Sequence, residues 1–163
     1  MAATPLARTR FYPSDFERGR DFVSALDAFL SALPKIGWQF GVELRNPNFL
    51  NPDYFSMLSE HGVAHVFNAW SRMPEISEQI ALDGAFTTDF FTARFLLRKG
   101  RMYQSAVDAF SPYDRIQDPN PEGRAALKTL TEKRTRRPSY IFVNNRFEGS
   151  ALQTISAVLG QSV

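Results

Sequence analysis

Tyr140-Ile141-Phe142-Val143-Asn144-Asn145-Arg146-Phe147-Glu148-Gly149-Ser150-Ala151 runs an apolar strand directly into two side-chain amides, an arginine, a carboxylate and a helix start. A β/α fold places polar groups in this way, at the carboxyl ends of its strands, where the connecting loops gather into a mouth. A second stretch upstream repeats the arrangement. Phe40-Gly41-Val42-Glu43-Leu44-Arg45-Asn46 alternates apolar and polar residues and ends in charge. Between and around the two, the hydrophobic period switches repeatedly from about 2 to about 3.6 residues.

After Ser14, residues Phe22, Leu26, Phe29, Leu30 and Leu33 recur at helical spacing, and Pro34 stops the helix. Lys35-Ile36-Gly37 turns the chain into a first strand. There Trp38, Phe40, Val42 and Leu44 alternate with Gln39, Gly41, Glu43 and Arg45. Asn51-Pro52-Asp53 predicts a helix start, with a capping amide and then proline at the first helical position. Tyr54, Phe55 and Leu58 form its apolar face, and Gly62 ends it. Residues 63–70 read as a second, buried strand, 71–80 as a loop with a short helix near Pro74, and 90–95 as a third strand. The stretch 100–121 reads as one long loop, because turn residues crowd it at Ser111-Pro112-Tyr113-Asp114 and Asp118-Pro119-Asn120-Pro121. A helix over 122–134, a fourth strand over 140–143 and a last helix carrying Leu152, Ile155, Val158 and Leu159 complete the chain. One helix followed by four strand–helix units predicts an α/β fold of parallel β/α repeats.

The 163 residues predict a single domain over 1–163, with 1–10 disordered. A chain of this size buries roughly 70% of its unfolded surface. With 44% apolar residues, the expectation is a folded rather than an intrinsically disordered chain. The 15 phenylalanines suit packing between a sheet and its helices. A net charge of +2, from 19 basic and 17 acidic residues, gives no argument for a polyanionic partner. The absence of cysteine excludes disulfides, Cys-ligated zinc, iron–sulfur clusters and thiol nucleophiles. His61 and His65 are the only imidazoles, so no dedicated metal site is expected. No apolar run approaches the roughly 20 residues that span a bilayer. The first ten residues lack the hydrophobic segment of a signal peptide. The expectation is a cytoplasmic protein without a membrane or nucleic-acid partner, its cofactor left open.

Four features carry a family resemblance. Glu43-Leu44-Arg45 follows an aromatic strand, and Arg94 lies in the third strand. Val143-Asn144-Asn145 is followed by Gly149 and Ala151, and Phe110-Ser111-Pro112-Tyr113-Asp114 lies between. Together, in this order, they resemble the YecE-like family (domain of unknown function 72), from about Phe11 onward. The resemblance implies a TIM-type β/α barrel with no established activity. A complete barrel of that type has eight strands in typically about 250 residues. This chain therefore matches the C-terminal half of one. Ser150 stands where the resemblance implies asparagine, and Asn68 where it implies an acidic residue. A half barrel has two open edges, and its inner face expects side chains from strands it lacks. It can self-associate, dock with a complementary half-barrel, or stand as a truncated remnant; the direct start at Met1 suits truncation.

Glu43 and Arg45 are two residues apart on a strand and share a face. Glu43 is placed as a general base or hydroxyl acceptor and Arg45 as an anion clamp, or the two form a structural ion pair. Arg94, among Phe90, Phe91, Phe95 and Leu96, needs a partner if buried: Glu43, or a bound carboxylate or phosphate. Asn144 and Asn145 face opposite sides, so one enters the mouth and the other caps the loop. The helix beginning near Gly149 offers free N–H groups and a positive end, and the glycine admits an anion to the backbone, or simply turns the chain. His65 reads as a core residue and His61 as a helix C-terminal one. Lys128, Lys133, Arg134, Arg136 and Arg137 read as a solvated helix face, since no aromatics interleave them. There is no Gly-rich phosphate loop, nucleophile elbow or kinase signature. The expected function is binding, or acting on, a small polar or anionic metabolite at the strand ends. The alternative is a non-catalytic remnant with a structural or interaction role.

Overall fold

The computed structural model describes residues 19–34, 36–133 and 137–161. The expected disorder over 1–10, the helix start at Ser14, and Arg134 and Arg136 of the basic face lie outside the described residues.

Helix α1 (Gly19–Ser31) buries Phe22, Leu26 and Leu30, one residue per turn along a single stripe. Helix α2 (Pro52–His61) starts as its sequence dictates. The Asn51 side-chain oxygen accepts the Tyr54 N–H at 3.0 Å, and proline takes the first helical position. Gly62 ends it at φ +65°, where a side chain would be strained. Between these helices, β1 is only Gly41–Val42, shorter than the predicted alternation. Trp38 does not pack on a helix; it is 60% exposed, while Phe40, Val42 and Leu44 join the core.

Strand β2 (Ala64–Ala69) is buried at every residue, the polar His65 and Asn68 included. Helix α3 (Ile76–Ala81) follows, its start closed by the Glu75 N–H donating to the Glu78 carboxylate at 2.7 Å. Strand β3 (Phe91–Phe95) alternates buried and half-buried residues. The 100–121 stretch is not one loop, for it contains α4 (Tyr103–Phe110). Ala106 and Phe110 of α4 bury themselves with Leu97 against Trp70 and Tyr113. That small tertiary cluster outweighs the turn signals on either side. Helix α5 (Pro121–Lys133), strand β4 (Ser139–Val143) and helix α6 (Ala151–Leu159) complete the order.

The four strands lie in sequence order, β1-β2-β3-β4, and every pairing is parallel. The sheet is open, with β1 and β4 as its edges. Register sorts its side chains into two faces. The first carries Val42, His65, Phe67, Phe91, Ala93, Phe95, Ile141 and Val143 onto the helices, where Tyr54, Leu58, Leu127, Leu130 and Phe147 meet them. The second carries Gly41, Val66, Asn68, Thr92, Arg94, Tyr140 and Phe142. This face is partly open to water: Phe142 is 57% exposed and Tyr140 50%. The Tyr140 hydroxyl reaches across to donate to the Gln39 side chain at 3.0 Å. The helical period of α6 is real, yet Leu152, Ile155 and Leu159 are exposed. Periodicity identifies an apolar stripe but not what covers it.

Candidate functional site

Glu43 follows β1 directly and lies on the second face. Its Oε1 accepts from Arg45 Nε at 3.1 Å, and its Oε2 accepts from Arg94 Nη1. Arg94 comes from β3, so this ion pair crosses over β2. Asn68, beside Arg94 in register, is fully buried. Its Nδ2 donates to the Leu44 carbonyl at 2.8 Å, while its Oδ1 has no partner. The Asn68 backbone is held by Gln79, which accepts from its N–H at 3.1 Å and donates to its carbonyl at 2.8 Å. The Arg45 guanidinium lies 4.1 Å above the Trp70 ring, at the end of β2.

The Glu43 side chain keeps 16% of its surface, Arg45 nearly half and Arg94 a third. One carboxylate serves two guanidinium groups, so the trio carries a net positive charge. Arg45 donates to Glu43 through Nε and Arg94 through Nη1, which leaves most of the five N–H groups of each fork unused. Such a fork matches the geometry of a carboxylate or phosphate.

The residues after β4 take other positions. Asn144 continues the second face beyond Phe142. Its Oδ1 accepts from the Arg146 N–H at 3.0 Å and from Arg146 Nη1 at 3.3 Å. Asn145 caps α6: its Oδ1 accepts the Ala151 N–H at 2.8 Å, a role that Ser150, at the capping position, does not take. Gly149 is buried at φ +115°, its Cα side pressed against the neighbouring segment. A Cβ there would stand 2.5 Å from the Arg115 carbonyl oxygen. The glycine thus admits another stretch of backbone. Arg146 stacks over Tyr103 at 4.5 Å and lies 5.9 Å from the Tyr113 ring. Arg98 and Arg101 both pair with Asp118, and Arg101 also lies over Phe110.

Glu148 is the residue that sequence reasoning passed over. Its carboxylate is completely buried, accepting from the Asn120 N–H at 2.5 Å, from Arg124 Nε at 2.8 and 3.0 Å and from Thr154 Oγ1 at 2.8 Å. Its carbonyl accepts from the N–H groups of Gln117 and Asp118. One residue thereby ties the 117–120 segment to α5 and α6. The available signal was a carboxylate placed between Phe147 and Gly149 just ahead of a helix. Trp70, Arg146 and Phe142 were also missed, since each reads locally as an ordinary strand or loop residue.

His65 lies on the first face, apart from Glu43. Its Nδ1 is 3.1 Å from the Tyr54 hydroxyl, and the rings of Tyr54, Phe55 and Phe67 stand edge-on around it. Burial pushes its pKa down to about 4, and burial likewise raises that of Tyr54. His61 closes α2 and pairs with Asp27 at 2.5 Å. Among the described residues no three His, Asp or Glu side chains gather as a metal would need. Nor is any helix among them long and apolar enough to cross a membrane. A groove of about 240 Å³ between α5, α6 and β4 is lined by Leu127, Ile141, Val143, Ile155, Val158 and Leu159, with Thr131 and Ser139. It opens on the opposite face from Glu43, and its lining holds no ionisable side chain.

Two solved structures share the fold. A DUF72 family protein from Thermotoga maritima matches with a TM-score of 0.59 and 21% identity, over 91% of this chain and 54% of its own. A DUF72 family protein from Enterococcus faecalis matches with a TM-score of 0.57 and 17% identity, over 88% of this chain and 55% of its own. The chain thus spans just over half the length of these relatives. No curated protein matches it. The family model described as "Protein of unknown function DUF72" matches residues 9–161. That match covers nearly the whole sequence, so the chain belongs to the DUF72 family, the one anticipated under the YecE-like name.

Proposed function

We propose that the chain is one domain contributing part of a TIM-type β/α barrel, and that the second sheet face is that barrel's inner wall. Arg94 and Arg45 hold a small anionic metabolite there, at the carboxyl ends of the strands. Glu43 orients both guanidinium groups and accepts a ligand hydroxyl. The observation that carries this reading is the Glu43 trio itself: net positive, water-accessible, with unused N–H groups at the end of a parallel sheet. Arg45 on Trp70 is braced by stacking, which reduces the entropy lost when it grips an anion. The test is calorimetric titration at low salt with inorganic phosphate and with butyrate. Arg94→Met abolishes binding of both. Unchanged binding in that variant overturns the reading.

A second reading rests on a different observation. Both Glu43 oxygens are engaged within the protein, and Tyr140 and Phe142 stand exposed on the same face. Exposed aromatics on a sheet face suit coverage by further polypeptide. The solved relatives carry nearly as much chain again outside the shared part. In this reading the trio closes a layer against a second copy or a complementary half-barrel, and does no chemistry. Light scattering separates the occupants. A dimer at micromolar concentration that reverts to monomer in Phe142→Asp supports self-association, and a monomer at millimolar concentration removes it.

A further inference from the structure

We propose that Arg146 is a second anion-holding residue of the same mouth, so that its ligand is a small dicarboxylate gripped at both ends. This rests on the reading of Arg94 and Arg45 given above. Among the described residues, five arginines have a carboxylate of the protein: Glu43 for Arg45 and Arg94, Asp118 for Arg98 and Arg101, Glu148 for Arg124. Arg146 has none among the described residues. It is nevertheless no loose surface cation. It is half-buried, its guanidinium stacks on Tyr103 with Tyr113 beyond, and its Nε is enclosed without an acceptor. A guanidinium fixed by aromatic rings and lacking a counter-charge is prepared for an anion from outside.

Its position places it at the mouth. Arg94 pairs in register with Phe142, and Asn144 follows two residues later on the same face. Asn144 Oδ1 holds both the backbone N–H and Nη1 of Arg146. The Arg146 fork therefore stands past the Glu43 trio along the strand direction, on the β4 side. With Glu43, Arg45 and Arg94, it brings three cations against one carboxylate. Two negative charges on the ligand balance that sum. Because the cations sit in two places, the charges are best carried at two ends of the molecule.

The test is a calorimetric comparison of malonate, succinate and glutarate with propionate, butyrate and valerate, each dicarboxylate against the monocarboxylate of equal length. The wild-type chain is expected to favour one dicarboxylate over its partner by about tenfold, the scale of one charge-assisted contact. Arg146→Met brings that ratio close to one, because it costs the dicarboxylate more affinity than the monocarboxylate. Arg146→Lys restores part of the preference. Where Arg146→Met loses its cooperative thermal transition, Arg146→Gln, which keeps a polar N–H donor near the position of Nε, carries the same comparison. An unchanged ratio in the variant that folds overturns the assignment of Arg146 but spares the mouth, provided Arg94→Met still abolishes monocarboxylate binding. If Arg94→Met has no effect, or the wild type binds none of the six acids, both readings fall together.

Discussion

Glu148 and Glu43 are both carboxylates facing arginine, and the fold treats them oppositely. Glu148 is sealed from water and receives donors from three directions: the Asn120 backbone, Arg124 and Thr154. Every lone-pair direction it needs is met by the chain, so it fastens a loop to two helices and has nothing left to offer a ligand. Glu43 meets only guanidinium groups, on a face that keeps contact with water. Its arginines retain unused donors. The contrast teaches that an arginine–carboxylate pair by itself says neither "structure" nor "site". What decides is whether the surrounding backbone supplies enough donors to close the shell.

The largest test of that contrast is Glu148→Ala. Removing the carboxylate leaves Arg124 and the Asn120 N–H facing an unfilled interior, a loss of about 3–5 kcal/mol. Urea denaturation measures it, and a loss under about 1 kcal/mol breaks the comparison. Glu148→Gln, which preserves shape and one acceptor, loses less.

Acidification probes the closed face at a second point. His65 is buried as the neutral imidazole, with its pKa down at about 4 against an ordinary 6.5. Between those values the unfolded chain binds the proton and the folded chain does not. Stability is therefore fully present above pH 6.5 and falls as pH drops toward 4, by about 3 kcal/mol in all. Thermal melts from pH 7 to pH 4 follow this loss, and His65→Leu flattens the slope in the upper part of that window.

Glu43→Gln gives the smallest change in stability, within about 1 kcal/mol, because both guanidinium partners keep contact with water and glutamine retains an acceptor for them. Chemical denaturation checks it. A loss as large as that of Glu148→Ala places Glu43 in the same structural class and removes the open-site reading.

Much of the architecture was legible because its causes are local. Asn51, Pro52 and Gly62 carry the start and end of α2 in their own backbone preferences. The largely apolar run 63–70 predicts a buried strand, which β2 is. Helix α4 was not legible, since its stability comes from Leu97, Trp70 and Tyr113, which precede and follow it along the chain. The exposed stripe of α6 and the exposed rings of Phe142 and Tyr140 were also beyond reach, because period alone carries no information about what stands opposite. At the site, a strand's alternation was enough to put Glu43 and Arg45 together. Joining Arg94 to them required the order and register of β1, β2 and β3.

The amino-acid sequence alone determined most of the helices, the four strands, their alternation and the family, since these follow from short-range preferences and from a pattern spread along the whole chain; it did not determine α4 or the short extent of β1. Tertiary structure alone decided which polar residues are sealed and which stay open. Glu148 was turned inward onto its own loop, while Glu43 and Arg94 met on the sheet face that keeps contact with water. The reason is that a donor's value to a carboxylate depends on distance and on exclusion of water. Both are properties of segments far apart in the chain that only the folded sheet brings side by side.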